Sequence, residues 1–348
     1  MTRSPAPCRP LAPRRPLALR RPLALVAAAA LLAGLAACAP APTSAPGAAD
    51  PTASSSFPLT ITNCGSPVTL AAPPQRIVLV NADEIPNLEA LGAVDRVVAM
   101  TGSLQPDLYD PSTYETLAKA DILSTETNAT GGSVVSQESL IGMRPDLVIA
   151  PEKAVDRAAL AASGIPLYTP SAYCADPAPE LRTTATFDRV WDEVRSLGAV
   201  LGAGDRAEQA IAEAQAGIGV PAADAGTAAA LYVSSGGSVL SPYGGPSMVT
   251  PVFQAAGLRN VYADSDERVF DANVEDIVAR DPRTVVLLYS SGSPEDAIAA
   301  FRGAPGVSGL SAVRDGRVVA LRFPFTDPPS MLSAKGPAEL AGLLAALP

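Results

Sequence analysis

SQESLIGMRPDLVIA, residues 136–150, and NVEDIVARDPRTVVLL, residues 273–288, follow one pattern. Each places a glutamate, Glu138 or Glu275, seven residues before a proline, Pro145 or Pro282, and then runs into an unbroken apolar segment. Two further pairs extend the match: EALGAVDRVVAM (89–100) with QAAGLRNVYAD (254–264), and SGIPLYTP (163–170) with DGRVVALRFP (315–324). Helical sequence followed by a short continuous apolar run signals a strand covered on both faces, as in a parallel sheet. Repeating that series in the same order twice implies a structural duplication. The expected strands are 76–80, 96–100, 146–150 and 165–170 in the first half, and 229–235, 283–289 and 317–323 in the second. NLEALG (87–92) reads as a helix stopped by Gly92.

Between the halves lies TFDRVWDEVRSLGAVLG (186–202), which sets Phe187, Val190, Trp191, Val194, Leu197 and Leu201 on one helical face, a helix of roughly 25 Å. DRAEQAIAEAQAGI (205–218) reads as a second helix. The organisation expected is a first α/β lobe over 58–180, a bridging helix over 181–204 and a second α/β lobe over 205–348. A ligand would then sit between the lobes, against loops at the carboxyl ends of the strands.

The chain ahead of these lobes reads as an export segment. Residues 1–22 are basic and proline-rich and lead into LALVAAAALLAGLAAC, which ends at Cys38. That is the layout of a signal peptide over 1–37, and a transmembrane anchor is the alternative. Leu35-Ala36-Ala37-Cys38 resembles the bacterial lipobox, which implies acylation at Cys38, cleavage before it and attachment to the outer face of the cell membrane. Arg20-Arg21 resembles a twin-arginine signal, so the export route stays open between two systems. Residues 38–57 are small and proline-rich, and suit a flexible tether.

Composition excludes several classes. The net charge is −10 although the first 37 residues carry only basic charges, so the folded part is acidic and unsuited to nucleic acid. Histidine is absent, which removes Ser-His-Asp and Cys-His catalysis and imidazole zinc sites. With Cys8 in the leader and Cys38 acylated, Cys64 and Cys174 form a disulfide in an oxidising compartment or remain two buried thiols.

The phrases quoted above, with PPQRIVLVNADEIPNLEALGAVDRVVAM at the front, resemble in order and spacing the substrate-binding proteins of importers for ferric siderophores, haem and cobalamin. The resemblance spans about residues 58–345. It implies two Rossmann-like α/β lobes with mostly parallel central sheets, joined by one long bridging helix. It also implies a monomer that hands its ligand to an ABC permease dimer, with Glu138 and Glu275 facing arginines of the permease. The matching ligand-facing positions are Asn81 to Glu84, Thr101 to Ser103, Pro151 to Lys153, Tyr173, Ser235 to Gly237, Tyr243, Arg268, and Arg322 with Phe323. Arg268 and Arg322 could meet an anionic ferric chelate or serve as surface ion-pair partners.

Val269 stands where many siderophore binders of the family carry tryptophan, and the single tryptophan, Trp191, falls in the bridging helix. The TNCG start, Cys174 and the TFD opening of the bridge are similar to an actinobacterial subgroup proposed to carry a deazaflavin precursor. A ferric siderophore is therefore the expected cargo, with cobalamin, haem or a deazaflavin precursor as alternatives. No cofactor and no metal site are expected: the relatives that bind bare zinc or manganese do so through histidine. An α/β enzyme is the alternative of another class. Against it, SSGGSVLSPYGGPSM (234–248) matches no dinucleotide, P-loop or nucleophile-elbow motif.

Overall fold

The sequence TNCGSP opens the folded body with a two-residue hairpin turn. In the computed structural model, which describes residues 56–128, 132–219, 223–233 and 240–348, β1 (Leu59–Asn63) and β2 (Ser66–Leu70) pair antiparallel about Cys64-Gly65. Both turn residues have positive φ, 49° and 72°, the requirement of a type I′ turn. The signal-peptide and Cys38 readings, most of the tether and Ser235 to Gly237 lie outside the described residues. Phe57, assigned to the tether, packs against the first core.

The first lobe continues with β3 (Ile77–Leu79), α1 (Ile85–Leu91), β4 (Val97–Thr101), α2 (Pro111–Leu117) and β5 (Asp121–Ser124). It closes with α3 (Gln137–Gly142), β6 (Leu147–Ile149), α4 (Arg157–Ala162) and β7 (Leu167–Tyr168). Helix α1 ends where Gly92 takes φ 64°, under the guanidinium of Arg206; a Cβ there would lie 2.5 Å from the Arg206 Nη1. The bridging helix α5 spans Asp188–Leu201, shorter than the expected 181–204 because Pro179–Arg182 forms a separate single turn and Gly202 takes the left-handed conformation. Helix α6 (Gly204–Gly217) folds back on it.

The second lobe holds β8 (Gly226–Val233), β9 (Leu240–Pro242), α7 (Val249–Ala255), β10 (Leu258–Asn260), α8 (Val274–Arg280) and β11 (Thr284–Tyr289). It ends with α9 (Pro294–Gly303), α10 (Ser311–Arg314), β12 (Val318–Arg322) and α11 (Met331–Ala345).

The duplication appears as topology. The first sheet runs β5-β4-β3-β6-β7, all parallel, and the second runs β10-β8-β11-β12, all parallel, with β9 added antiparallel to β8. The order β4-β3-β6-β7 thus recurs as β10-β8-β11-β12. The continuous apolar runs have a direct cause: Leu147 and Ile149 of β6 face one cluster and Val148 the other, while Val285 and Leu287 of β11 are set against Val286 and Leu288. Each such side chain, fully buried, contributes about 1.5–3 kcal/mol.

Two helices, α5 and α11, touch the cores of both lobes, and a third, α6, packs on the first core alone. Helix α5 buries Val190, Trp191, Val194, Leu197, Val200 and Leu201 in the first core, and Phe187 at its start touches the cores of both lobes. Helix α6, in the second half of the sequence, packs Ala207 and Ile211 on the first core, close to α5 because Gly198 leaves room: a Cβ there would lie 2.7 Å from the Ala207 Cβ. Helix α11 buries Met331, Leu332 and Ala334 in the first core and Leu340 in the second. Its Pro337 lies inside the helix, and Gly336 presses on the Phe325 carbonyl, where a Cβ would lie within 1.9 Å.

Candidate ligand cleft and docking acids

At the end of β3 the chain turns through Asn81, a non-glycine residue at φ 99°. Its backbone N–H donates to Thr101 Oγ1 (3.0 Å), and its side chain closes a local loop, accepting from the Asp83 N–H (3.1 Å) and donating to Asp83 Oδ2 (2.8 Å). Asparagine tolerates this backbone region because its amide bonds to its own turn. Asp83 is left half-buried at the lobe edge, and Glu84 turns inward.

The segment after β7 is held from three sides. Glu193 of α5 accepts from the Tyr168 hydroxyl (2.6 Å) and the Ser171 N–H (2.9 Å). Glu152, paired with Arg157, accepts from the Ala175 N–H (2.7 Å). Cys174 is joined to Cys64 with a Cα–Cα distance of 5.2 Å, so the disulfide alternative is the one realised. Tyr173, thus fixed, donates its hydroxyl to Asp83 Oδ2 (2.6 Å).

The second lobe meets this edge with Arg268. Its guanidinium lies 5.3 Å from the Tyr173 ring centroid and pairs with Asp327, whose side chain is fully buried and whose Oδ1 accepts from the Met248 N–H (3.1 Å). Beside it Phe323 packs against Tyr243 (6.1 Å between centroids) and Tyr232 (5.8 Å). On the other rim, the loop after β4 crosses between lobes: Gln105 donates to the Ser290 carbonyl (2.7 Å) and Arg322 to the Pro106 carbonyl (2.5 Å). The Tyr114 hydroxyl shapes that loop by donating to the Gln105 carbonyl (2.6 Å) and accepting from the Leu108 N–H (2.9 Å).

Burial dominates the electrostatics. It pushes Asp83 above the usual carboxylate range, Tyr173 lowering it by donation and Asp327 opposing the help of Arg268. Tyr173 is pushed well up by burial and then by Asp83. Burial opposes the charge on Arg268, yet Asp327, Tyr173 and Tyr243 outweigh it and hold the guanidinium protonated. Glu84 and Glu193 are both pushed up by burial, Glu84 further by the charge of Glu193. Among the described residues no group of acids and cysteines could hold a metal ion.

The structure therefore draws Asn81, Tyr173, Tyr243, Arg268, Arg322 and Phe323 to the facing edges of the lobes. It does not bring all the expected ligand positions there. Glu84 is 2 % exposed and takes the Asn87 side chain (2.9 Å), and Thr101 is fully buried as the acceptor for Asn81. Both support the turn from behind, because a carboxyl at the start of α1 and a hydroxyl at the end of β4 point into the lobe. Lys153 is exposed on a single turn, Glu152–Ala154, outside this cluster. Asp327, Gln105 and Glu193 carried no sequence signal, since their partners lie at least 22 residues away in sequence.

Glu138 and Glu275 occupy the same place in the two lobes, second residue of α3 and of α8, behind the capping side chains of Ser136 and Asn273. Both are exposed, and neither carries an ion pair within the described residues.

Residues 77–324 match the family model described as periplasmic binding protein. The chain belongs to that family. Among solved structures, the binding protein is similar to an ABC-type Fe3+-hydroxamate transport system protein from Saccharomonospora viridis DSM 43017, at 35 % identity and TM-score 0.77 over 84 % of this chain and all of that one. It shares its fold with a periplasmic heme binding protein from Pseudomonas aeruginosa (22 % identity, TM-score 0.57, 79 % and 94 % covered). The same holds for the periplasmic vitamin B12 binding protein BtuF of Vibrio cholerae (18 %, 0.52, 78 % and 97 %). Among curated proteins none matches the sequence.

Proposed function

We propose that this binding protein is a lipoprotein that captures a ferric siderophore between its lobes and delivers it to an ABC importer. The observation that carries the reading is the convergence of Asp83, Tyr173, Arg268 and Phe323 from the carboxyl-end loops of two duplicated sheets, with Tyr243 of the antiparallel edge beside them. The similarity to a protein described as part of an Fe3+-hydroxamate transport system favours a ferric chelate as cargo. Glu138 and Glu275, exposed at equivalent helix starts, suit a two-fold permease partner. Cys38 would hold the protein at the membrane by its acyl chains, residues 39–56 giving reach. Without histidine the chain lacks the usual general base, which favours binding without conversion of the ligand.

Native mass spectrometry across ferric hydroxamates, ferric catecholates, ferric citrate, haem, corrinoids and a deazaflavin precursor tests the reading. One-to-one binding of a ferric chelate, with its mass unchanged on release, is expected. Binding of haem, a corrinoid or the deazaflavin alone would replace the cargo, and no binder at all would overturn the function. The anchor has its own test: Cys38→Ala is expected to release the protein into the medium, and retention at the membrane refutes it.

A further inference from the structure

The sequence offers Arg268 and Arg322 to an anionic ligand, but the folded chain engages both. Arg268 is neutralised by Asp327, a side chain with no exposure, and its guanidinium already covers one face of Tyr173. Arg322 reaches across the rim to the Pro106 carbonyl. Asp83 is in the opposite situation. Its Oδ2 accepts from two neutral donors, the Tyr173 hydroxyl and the Asn81 amide, and its Oδ1 takes no hydrogen bond among the described residues. The attraction of Arg268 for Asp83 is opposed by Asp327 beside it, so the carboxylate lacks a cation of its own. A half-buried carboxylate in this state gains most from a charged donor, since hydrogen bonds to ionised groups are roughly twice as strong as neutral ones. The aromatic surroundings favour the same partner. Tyr243, itself buried, packs against Phe323 beside this group, and aromatic rings attract cations.

We propose that Asp83 is the recognition group of the cleft, taking a cationic or strongly hydrogen-bond-donating arm of the ligand, so that the protein selects cationic or neutral ferric chelates over polyanionic ones. This rests on the function proposed above and assigns the sign of charge its site prefers. A polyanionic chelate would bring like charge against Asp83 and find Arg268 already paired. A chelate with an ammonium arm would supply the missing counter-ion. Asn81 and Thr101 fix the carboxylate's turn, and Tyr173 orients it, so the group is held in place before the ligand arrives.

The test uses the mature chain and three probes: the ferric complex of a linear trihydroxamate ending in a primary ammonium, the same complex with that nitrogen acetylated, and an anionic ferric tris-catecholate. The expected order of affinity is ammonium first, acetylated form about ten- to a hundredfold weaker, the size of one charge-assisted hydrogen bond, and catecholate weakest. Asp83→Asn should bring the first two within about threefold of each other. Tyr173→Phe removes a donor to Asp83 without removing its charge, so the ratio between the two hydroxamates should survive whatever happens to absolute affinity. Equal binding of both hydroxamates by the unmodified protein, tighter binding of the catecholate, or an unchanged ratio in Asp83→Asn overturns the assignment while leaving ferric-chelate capture intact. Failure of all three probes and of every other ferric chelate removes the proposed function and this inference together.

Discussion

Removing the Cys64–Cys174 bond should strip stability from the protein without emptying its cleft. The two cysteines are 110 residues apart, so the cross-link closes a loop that takes in β2 through β7. Loop-closure entropy for that length corresponds to about 4.8 kcal/mol at 25 °C. With a urea dependence of about 3 kcal/mol per molar, suited to a body of this size, Cys64→Ala/Cys174→Ala should lower the unfolding midpoint by roughly 1.6 M. The native arrangement around the bond has other supports. Asn63 accepts from the Thr169 N–H (2.8 Å) and donates to its carbonyl (2.8 Å), Glu193 holds Ser171, and Glu152 holds Ala175. Ligand affinity measured well below the midpoint should therefore change less than about threefold. Urea unfolding followed by circular dichroism, paired with a titration of the preferred ferric chelate, reads both quantities. A midpoint shift under about 0.5 M would refute the entropic argument, and a tenfold loss of affinity with a small midpoint shift would show that the bond itself positions Tyr173.

Glu138→Arg and Glu275→Arg together should abolish uptake in cells while the purified double variant binds ligand with unchanged affinity; undiminished transport would remove the docking assignment. Glu84→Gln should stabilise the protein in a pH-dependent way. The folded-state pKa of Glu84 lies above its ordinary 4.5, so its contribution is fully present below that value and is lost as pH rises towards the folded pKa. The amide has nothing to ionise, so its melting temperature should match the parent's near pH 4 and exceed it at pH 8, and a constant difference across that range would contradict the burial argument. Gln105→Ala with Arg322→Ala removes both hydrogen bonds across the rim and should raise the ligand dissociation rate more than it changes the melting temperature, as stopped-flow displacement would show.

The two sheets were legible because their strands are buried on both faces and so carry unbroken apolar runs, which need no partner information to recognise. Their order was legible because the sequence states it twice. The opening hairpin is written more faintly: LTITN alternates with Thr60 and Thr62 facing out, but the turn is Cys64-Gly65 and lacks the Asn-Gly or Asp-Gly pair that marks a two-residue hairpin most strongly. Helix α11 was hidden by Gly336 and Pro337, residues that mark breaks in local terms and are tolerated here by packing on Phe325 and on both cores. Within the site, choosing between Asp83 and Glu84 depends on the turn that Asn81 makes at positive φ. One residue's difference in that turn decides which carboxyl faces the other lobe and which faces α5, and nothing in the run NADEIP fixes it. Asp327 belongs to the same class: its meaning comes from Arg268, 59 residues earlier, and from the start of α7.

The connections between lobes also bear on how the cleft can move. If α5 alone joined the halves, a single helix could bend or tilt to open them. Here Phe187 at its start packs on both cores, and α11 is anchored at Met331 in one core and at Leu340 in the other. The N–H of Met331 is further tied to Asn87, the residue that also holds Glu84. Two helices fixed at both ends resist a wide hinge, since opening would pull apolar side chains out of cores packed at high density. The rim contacts of Gln105 and Arg322 are each a single hydrogen bond to a carbonyl, worth about 1 kcal/mol net for the neutral one and somewhat more for the charged one. Motion should therefore concentrate where those bonds break, as a small parting of the rim carried by the loop after β4, while the wall formed by Asp83 and Tyr173 stays bound to the bridging helix through Glu193.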